Sequence, residues 1–293
     1  MKILVVRDPS QFSSQLSHMA EQRVEDIVTV PIAWRAIGST VDLQRVIELQ
    51  KPEYLLCAVR LAADSDKAEQ KHYRNMVETL ERAARKFALP LFFLSSASVF
   101  AGGKPGYVEG DVCEPVTDLG RLYLDMEHLL EKKLRRHLIL RTSWVYSGRG
   151  ENFLTSVIEY AADNELISIN SAGKGCPTAT VDLARVVLAM LLQVDIGINA
   201  WGVYHYASSD PALGFQFVEA IVAQASQYDE RINAKQLLFE HNDGQAGPFY
   251  FEPVILKCQK IMEVFGIQQK PWRAMLPTVV KQYFGARIEE GGA

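Results

Sequence analysis

The chain has 293 residues, is 48% hydrophobic and 23% charged, and carries a formal net charge of −4. That length supports one large α/β domain, or a main domain with a smaller lobe. The acidic balance leaves no electrostatic footprint for nucleic acid or an anionic membrane, and the four cysteines, Cys57, Cys113, Cys176 and Cys258, are too scattered for a disulfide framework or a metal site.

Short apolar runs alternate with helical periodicity through the first half. KILVV at 2–6, DIVTV at 26–30, EYLLCAV at 53–59, LPLFFLSS at 89–96 and HLILRTSWVY at 137–146 read as strands buried on both faces. Residues 10–20, 41–50, 66–87 and 117–134 read as helices, and strict alternation implies a parallel sheet with right-handed crossovers. The long helix ends before Pro90, because a residue preceding proline disfavours helical geometry. Lys132, Lys133, Arg135 and Arg136 form the one basic cluster, where cations suit the end of a helix.

After residue 150 the pattern loosens. Helices are predicted at 151–164, 181–193 and 214–227, with extended pieces at 166–170 and 201–207. Thr178 is the expected cap of helix 181–193, and His205 is expected to be a satisfied core histidine. The last forty residues, with Pro248, Pro253, Pro271 and Pro277, read as a small lobe of helices and loops, and the tail after Arg287 as unstructured. The expected architecture is a doubly wound parallel sheet over 1–165 and a smaller lobe over 166–293, with segments interleaved back into the first domain. The chain moves straight into a strand and no apolar run reaches membrane-spanning length, so a cytoplasmic location is expected.

Several stretches together resemble the dTDP-4-dehydrorhamnose reductase family, a branch of the extended short-chain dehydrogenases/reductases. RTSWVYSGRGENF at 141–153 looks like the family's R-T-S-W-V-Y-x-G-x-G-x-N-F, and GCPTATVDLA at 175–184 is similar to its G-x-P-T-x-x-x-D-L-A. DKAE at 66–69, SSASVFAG at 95–102, GYVEGD at 106–111, GVYHYA at 202–207 and the segment 252–276 follow the family's order. The resemblance implies a Rossmann domain for NAD(P)H and a smaller lobe for a nucleotide-linked 4-keto sugar. The implied chemistry uses a tyrosine hydroxyl as proton donor, a lysine four residues on, and a Ser/Thr hydroxyl to orient the carbonyl.

This chain departs from the pattern at the chemistry. The three glycines that would close a turn onto the cofactor pyrophosphate fall on Arg7, Ser10 and Ser13, and Gly38 is the only glycine before residue 102. The Y-G-x-x-K motif falls on LGRLY, so Leu119 stands for the tyrosine and Tyr123 for the lysine; none of the eleven tyrosines has a lysine four residues later. Tyr123 is expected to be a half-buried aromatic. Ser96 alone survives of the catalytic set, and a turn cap would also explain it. The family's aspartate and tyrosine after that hydroxyl are here Ala97 and Ser98. Trp144, Tyr146, Arg149 and Asn152 stand where the resemblance places substrate contacts, packing being an equal reading for Trp144. Arg141, Thr142 and Ser143 read as a strand end whose polar groups satisfy neighbouring backbone.

Two functions follow. The first is a catalytically inactive relative that binds a nucleotide sugar or a protein partner, with no cofactor expected; a homodimer is compatible with it. The second is an active reductase with a rewritten site, using NADP or NAD, Arg7 for phosphate, and Ser96 or water as proton source.

Overall fold

The computed structural model describes residues 1–7, 12, 15–16, 19, 27–38, 42–62, 65–170, 173–233, 238–242 and 253–291. Its main sheet is built from β1 (Lys2–Arg7), β2 (Val28–Ala33), β3 (Tyr54–Cys57), β4 (Leu91–Ser96), β5 (His137–Thr142) and β10 (Gly202–His205). The strand order is β10-β5-β4-β3-β1-β2, and every neighbouring pair is parallel. The chain leaves β1 towards β2 and then crosses to β3 on the other side of β1. This reversal makes the sheet doubly wound, Rossmann-like, with its switch point between β1 and β3.

The helices begin and end as their sequences dictate. Helix α1 (Leu43–Gln50) is capped by Asp42, whose side chain accepts from the Gln44 N–H at 3.0 Å. Helix α2 (Lys67–Phe87) is capped by Asp66 and closed by Ala88 in a left-handed conformation, two residues before Pro90. Helix α3 (Asp118–Lys133) starts at Thr117, whose hydroxyl accepts from the Gly120 N–H, and carries Lys132 and Lys133 in its last turn. The segment 10–20 lies largely outside the described residues; within it, Phe12, Leu16 and Met19 are helical and buried.

Beyond β5 the chain builds the second layer: β6 (Val145–Tyr146), α4 (Phe153–Asp163), β7 (Leu166–Asn170), β8 (Lys174–Gly175), β9 (Thr178–Ala179) and α5 (Thr180–Asp195). After β10 come β11 (Ala212–Leu213), α6 (Gly214–Ala225), α7 (Glu230–Asn233), β12 (Leu238–Asn242), α8 (Gln259–Phe265) and α9 (Trp272–Gly291). Buried residues fall into two clusters. The first joins the main sheet to α2, α3, α5 and α8; the second joins Tyr146, α4, α6 and α9. Helix α4 therefore packs with the lobe although it precedes residue 165, while α5 and α8 return to the sheet.

Three expectations need correction. HLILRTSWVY is not one strand: β5 ends at Thr142, Trp144 adopts φ 41°, and β6 pairs with β9 in a separate two-stranded sheet. The tail after Arg287 is helical as far as Gly291, the last described residue, because Glu289 and Glu290 extend a helix readily. Thr178 is not a helix cap; its hydroxyl donates to the Cys176 carbonyl at 3.0 Å and accepts from the Ser208 N–H at 3.2 Å.

Candidate functional site

The carboxyl ends of β4 and β5 lie side by side, with Ser96 in register with Thr142. The Ser96 hydroxyl accepts from the Ser98 N–H at 3.2 Å and so caps the short turn 97–99. Helix α3 then begins hard against this turn. A Cβ at Gly120 would stand 2.2 Å from the Ser98 carbonyl oxygen. The glycine of LGRLY thus serves close packing, and it persists where its chemical neighbours do not.

Leu119 is half-buried against the main core. Tyr123 is not half-buried but 1% exposed. Its ring sits edge-on to Tyr73, with centroids 5.7 Å apart, and tilted against Phe93 at 6.4 Å. Its hydroxyl accepts from the Leu61 N–H at 3.1 Å, while the Tyr73 hydroxyl donates to the Val59 carbonyl at 3.5 Å. Burial, with Tyr123 next, pushes the Tyr73 phenol well above its ordinary pKa. Two phenols therefore hold the backbone leaving β3, on the side of the switch point that faces β4. The correction has a simple cause: position 123 lies on the apolar stripe of α3 with Leu122, Met126 and Leu130, all buried.

Beneath this edge is a charged network that the motifs do not announce. Arg141 donates to both carboxylate oxygens of Glu127, from Nε at 3.1 Å to each and from Nη2 at 2.7 Å to Oε2. Ser95 donates to the same carboxylate. Both charged side chains are buried, and the guanidinium lies 5.1 Å over the Phe100 ring. His205 closes the cluster, with Nδ1 3.2 Å from the Tyr107 carbonyl and Nε2 3.4 Å from Arg141. Burial and the neighbouring guanidinium push its pKa down to about 3, so it is a neutral core imidazole. The signal in the sequence was Glu127 itself, an acid on the apolar stripe of α3. Arg141 is thus satisfied by a side chain, not by neighbouring backbone. The Thr142 and Ser143 hydroxyls, with that of Ser98, are buried and have no hydrogen-bond partner in the protein.

The four residues matched to substrate contacts separate. Trp144 lays its indole on β8, where a Cβ at Gly175 would come within 2.1 Å of Cε2. Gly175→Ala should therefore destabilise the fold by about 2 kcal/mol through overpacking, read from urea unfolding. Tyr146 is fully buried in the lobe, edge-on to Phe217, and donates to the Trp272 carbonyl at 3.2 Å. Asn152 caps α4: Oδ1 accepts from Leu154 N–H at 3.1 Å, and Nδ2 donates to the Gly150 carbonyl at 2.9 Å. Arg149 is exposed; its backbone N–H donates to the Ser147 hydroxyl at 3.4 Å and its carbonyl accepts from Asn152 Nδ2 at 3.2 Å. In this geometry Tyr146 and Asn152 build the lobe, and neither presents a free polar group to a ligand.

Arg7 ends β1 and is exposed, whereas Ser10 and Ser13 lie outside the described residues. A groove of about 460 Å³ lies beyond β2, lined by Trp34, Arg35, Asp66, Ala68, Glu69 and His72, with Arg35 paired to Glu69. None of the residues matched to catalysis or substrate lines it. Among the described residues no group of histidines, cysteines and carboxylates could hold a metal, and no helix is long and apolar enough to cross a membrane.

The family model of the RmlD substrate binding domain matches residues 1–284. The chain belongs to this family. A dTDP-4-dehydrorhamnose reductase of Sinorhizobium fredii is 31% identical over 219 residues, which are 71% of this chain and 73% of the relative. The enzyme of the same name from Aggregatibacter actinomycetemcomitans is 26% identical over 69% of this chain and 70% of its own length. Among solved structures, the dTDP-4-dehydrorhamnose reductase of Bacillus anthracis in complex with NADP shares the fold at a TM-score of 0.80 and 20% identity, covering 96% of this chain and 99% of that one. Its counterpart from Clostridium acetobutylicum gives 0.79 at the same identity and coverage.

Proposed function

We propose that this member of the RmlD family binds a dTDP-linked sugar without reducing it, and that it has no working nicotinamide site. The observation that carries this is the environment of Tyr123. A lysine there would put an ammonium into the tyrosine-lined core, yet the phenol that fills it is 1% exposed and is committed to the Leu61 N–H. At position 119 a leucine cannot protonate the alkoxide that hydride delivery leaves behind. Losing one positioned general acid typically costs ~10²–10⁴ in rate, and here the acid and its tuning cation are absent together. Arg7 without glycines around it supplies a charge for phosphate but not the tight turn that lets backbone approach a pyrophosphate. Nucleotide-sugar binding is supported by a family match that spans both the sheet and the lobe.

The deciding assay follows NADPH oxidation with a dTDP-4-dehydro sugar and then with NADH. No turnover above background is expected. Turnover by the unmodified chain that is lost in Ser96→Ala would overturn the proposal and establish a rewritten reductase.

A further inference from the structure

The lobe carries a second cavity, on elements that hold none of the family motifs. It measures about 360 Å³ and is lined by Tyr228, Asp229, Glu230 and Arg231, in the turn after α6 and the start of α7, and by Phe284 and Arg287 of α9. That is the small end of the range for ligand pockets, and it suits one ring with a short polar arm. One wall is aromatic. Tyr228 stacks on Phe284 with centroids 5.2 Å apart and planes 16° from parallel, yet remains 47% exposed. A half-exposed ring backed by a second ring is a platform for a planar group.

The charges around this platform divide into two pairs. Arg231 grips Asp229, from Nε to Oδ1 at 3.1 Å and from Nη2 to Oδ2 at 2.7 Å, so both are spent on each other. The other two charges are held apart from any such grip. Arg287 donates from Nη1 to the Tyr283 hydroxyl at 2.6 Å, which leaves Nε and Nη2, the edge that pairs side-on with a carboxylate. Glu230 stands exposed at the start of α7. One cavity therefore offers a cation, an anion and an aromatic face, with no net charge. A simple anion would be repelled by Glu230, and a simple cation by Arg287.

We propose that this cavity is a ligand site for a zwitterion bearing an aromatic ring, the chemistry of an aromatic α-amino acid. Its ring lies on Tyr228, its carboxylate on Arg287 and its ammonium on Glu230. None of the described residues matched to catalysis, cofactor or sugar lines the cavity, so this site stands independently of the nucleotide-sugar proposal.

The test is calorimetry on the full chain with L-phenylalanine and three of its fragments. Of these, 3-phenylpropanoate lacks the ammonium, 2-phenylethylamine lacks the carboxylate, and L-alanine lacks the ring. Phenylalanine should bind with a Kd of about 0.1–1 mM, and each fragment about tenfold more weakly or worse, the worth of one lost contact. Arg287→Gln and Glu230→Gln should each weaken phenylalanine about tenfold, whereas Tyr228→Phe should leave it unchanged. Saturating dTDP should not compete. No binding of phenylalanine, equal binding of either charged fragment, or affinity that survives both charge-removing variants would overturn the site. Competition by dTDP would overturn it too, since phenylalanine would then occupy the nucleotide's own pocket.

Discussion

Glu127→Ala is expected to lower the unfolding free energy by about 3–5 kcal/mol, the usual cost of removing one partner from a buried ion pair. Glu127 is 0% exposed and Arg141 4%, and among the contacts that hold the guanidinium the carboxylate supplies the only charge. Ser95 would lose its acceptor in the same step. The cost comes from stranding Arg141, not from any large intrinsic worth of the pair. A double variant, Glu127→Leu with Arg141→Met, should therefore recover most of the loss. Urea unfolding of the three proteins decides it. A loss below about 1 kcal/mol for Glu127→Ala would mean that water or another group reaches the guanidinium.

The second expected result concerns restoring the chemistry. Leu119→Tyr with Tyr123→Lys should give no reductase activity, and Tyr123→Lys alone should cost on the order of 3–5 kcal/mol. The substitution removes a ring packed on Tyr73 and Phe93 and places an ammonium in a position 1% exposed. Tyr123→Phe separates the two contributions, because it keeps the ring and removes the hydroxyl that the Leu61 N–H uses as acceptor, at about 1–3 kcal/mol. A Tyr123→Lys protein as stable as the parent would show that α3 still has room for the lysine. The closure of this site would then be wrong.

Much of the fold was legible because buried parallel strands advertise themselves. The apolar runs at 2–6, 53–59 and 89–96 and the helices at 66–87 and 117–134 needed only local rules. Where local rules fell short, distant contacts decided. Nothing near Trp144 signals a left-handed backbone, which costs ~1–2 kcal/mol for a residue other than glycine. It is tolerated because the indole packs on Gly175, thirty-one residues away in sequence. Tyr146 and Asn152 show the same limit at the candidate site. Their motif was recognisable, but a motif cannot distinguish a tyrosine that meets ligand from one that bonds Trp272, or an asparagine that holds a sugar from one that caps α4. Thr142 and Ser143 misled in the other direction. Strand ends usually use such hydroxyls on backbone, and only the packed structure shows that these are left over.

The retained and lost parts of the family pattern follow one division. Gly120 and Gly175 are kept, and each is a point where another chain segment approaches too closely for a Cβ. Ser96 is kept, and it caps a turn. The positions where this chain departs from the pattern it resembles, 7, 10, 13, 119 and 123, are those to which that resemblance would assign cofactor binding and proton transfer.

Calorimetric titration with NADPH tests that division most directly, since it asks whether those departures still leave a cofactor site. No measurable heat is predicted for NADPH or NADH up to millimolar concentrations, because the sequence over 7–13 has no glycine for a pyrophosphate turn and position 123 holds a buried phenol bonded to the Leu61 N–H in place of a lysine. Binding of NADPH with a micromolar Kd, weakened in Arg7→Ala, would contradict the account.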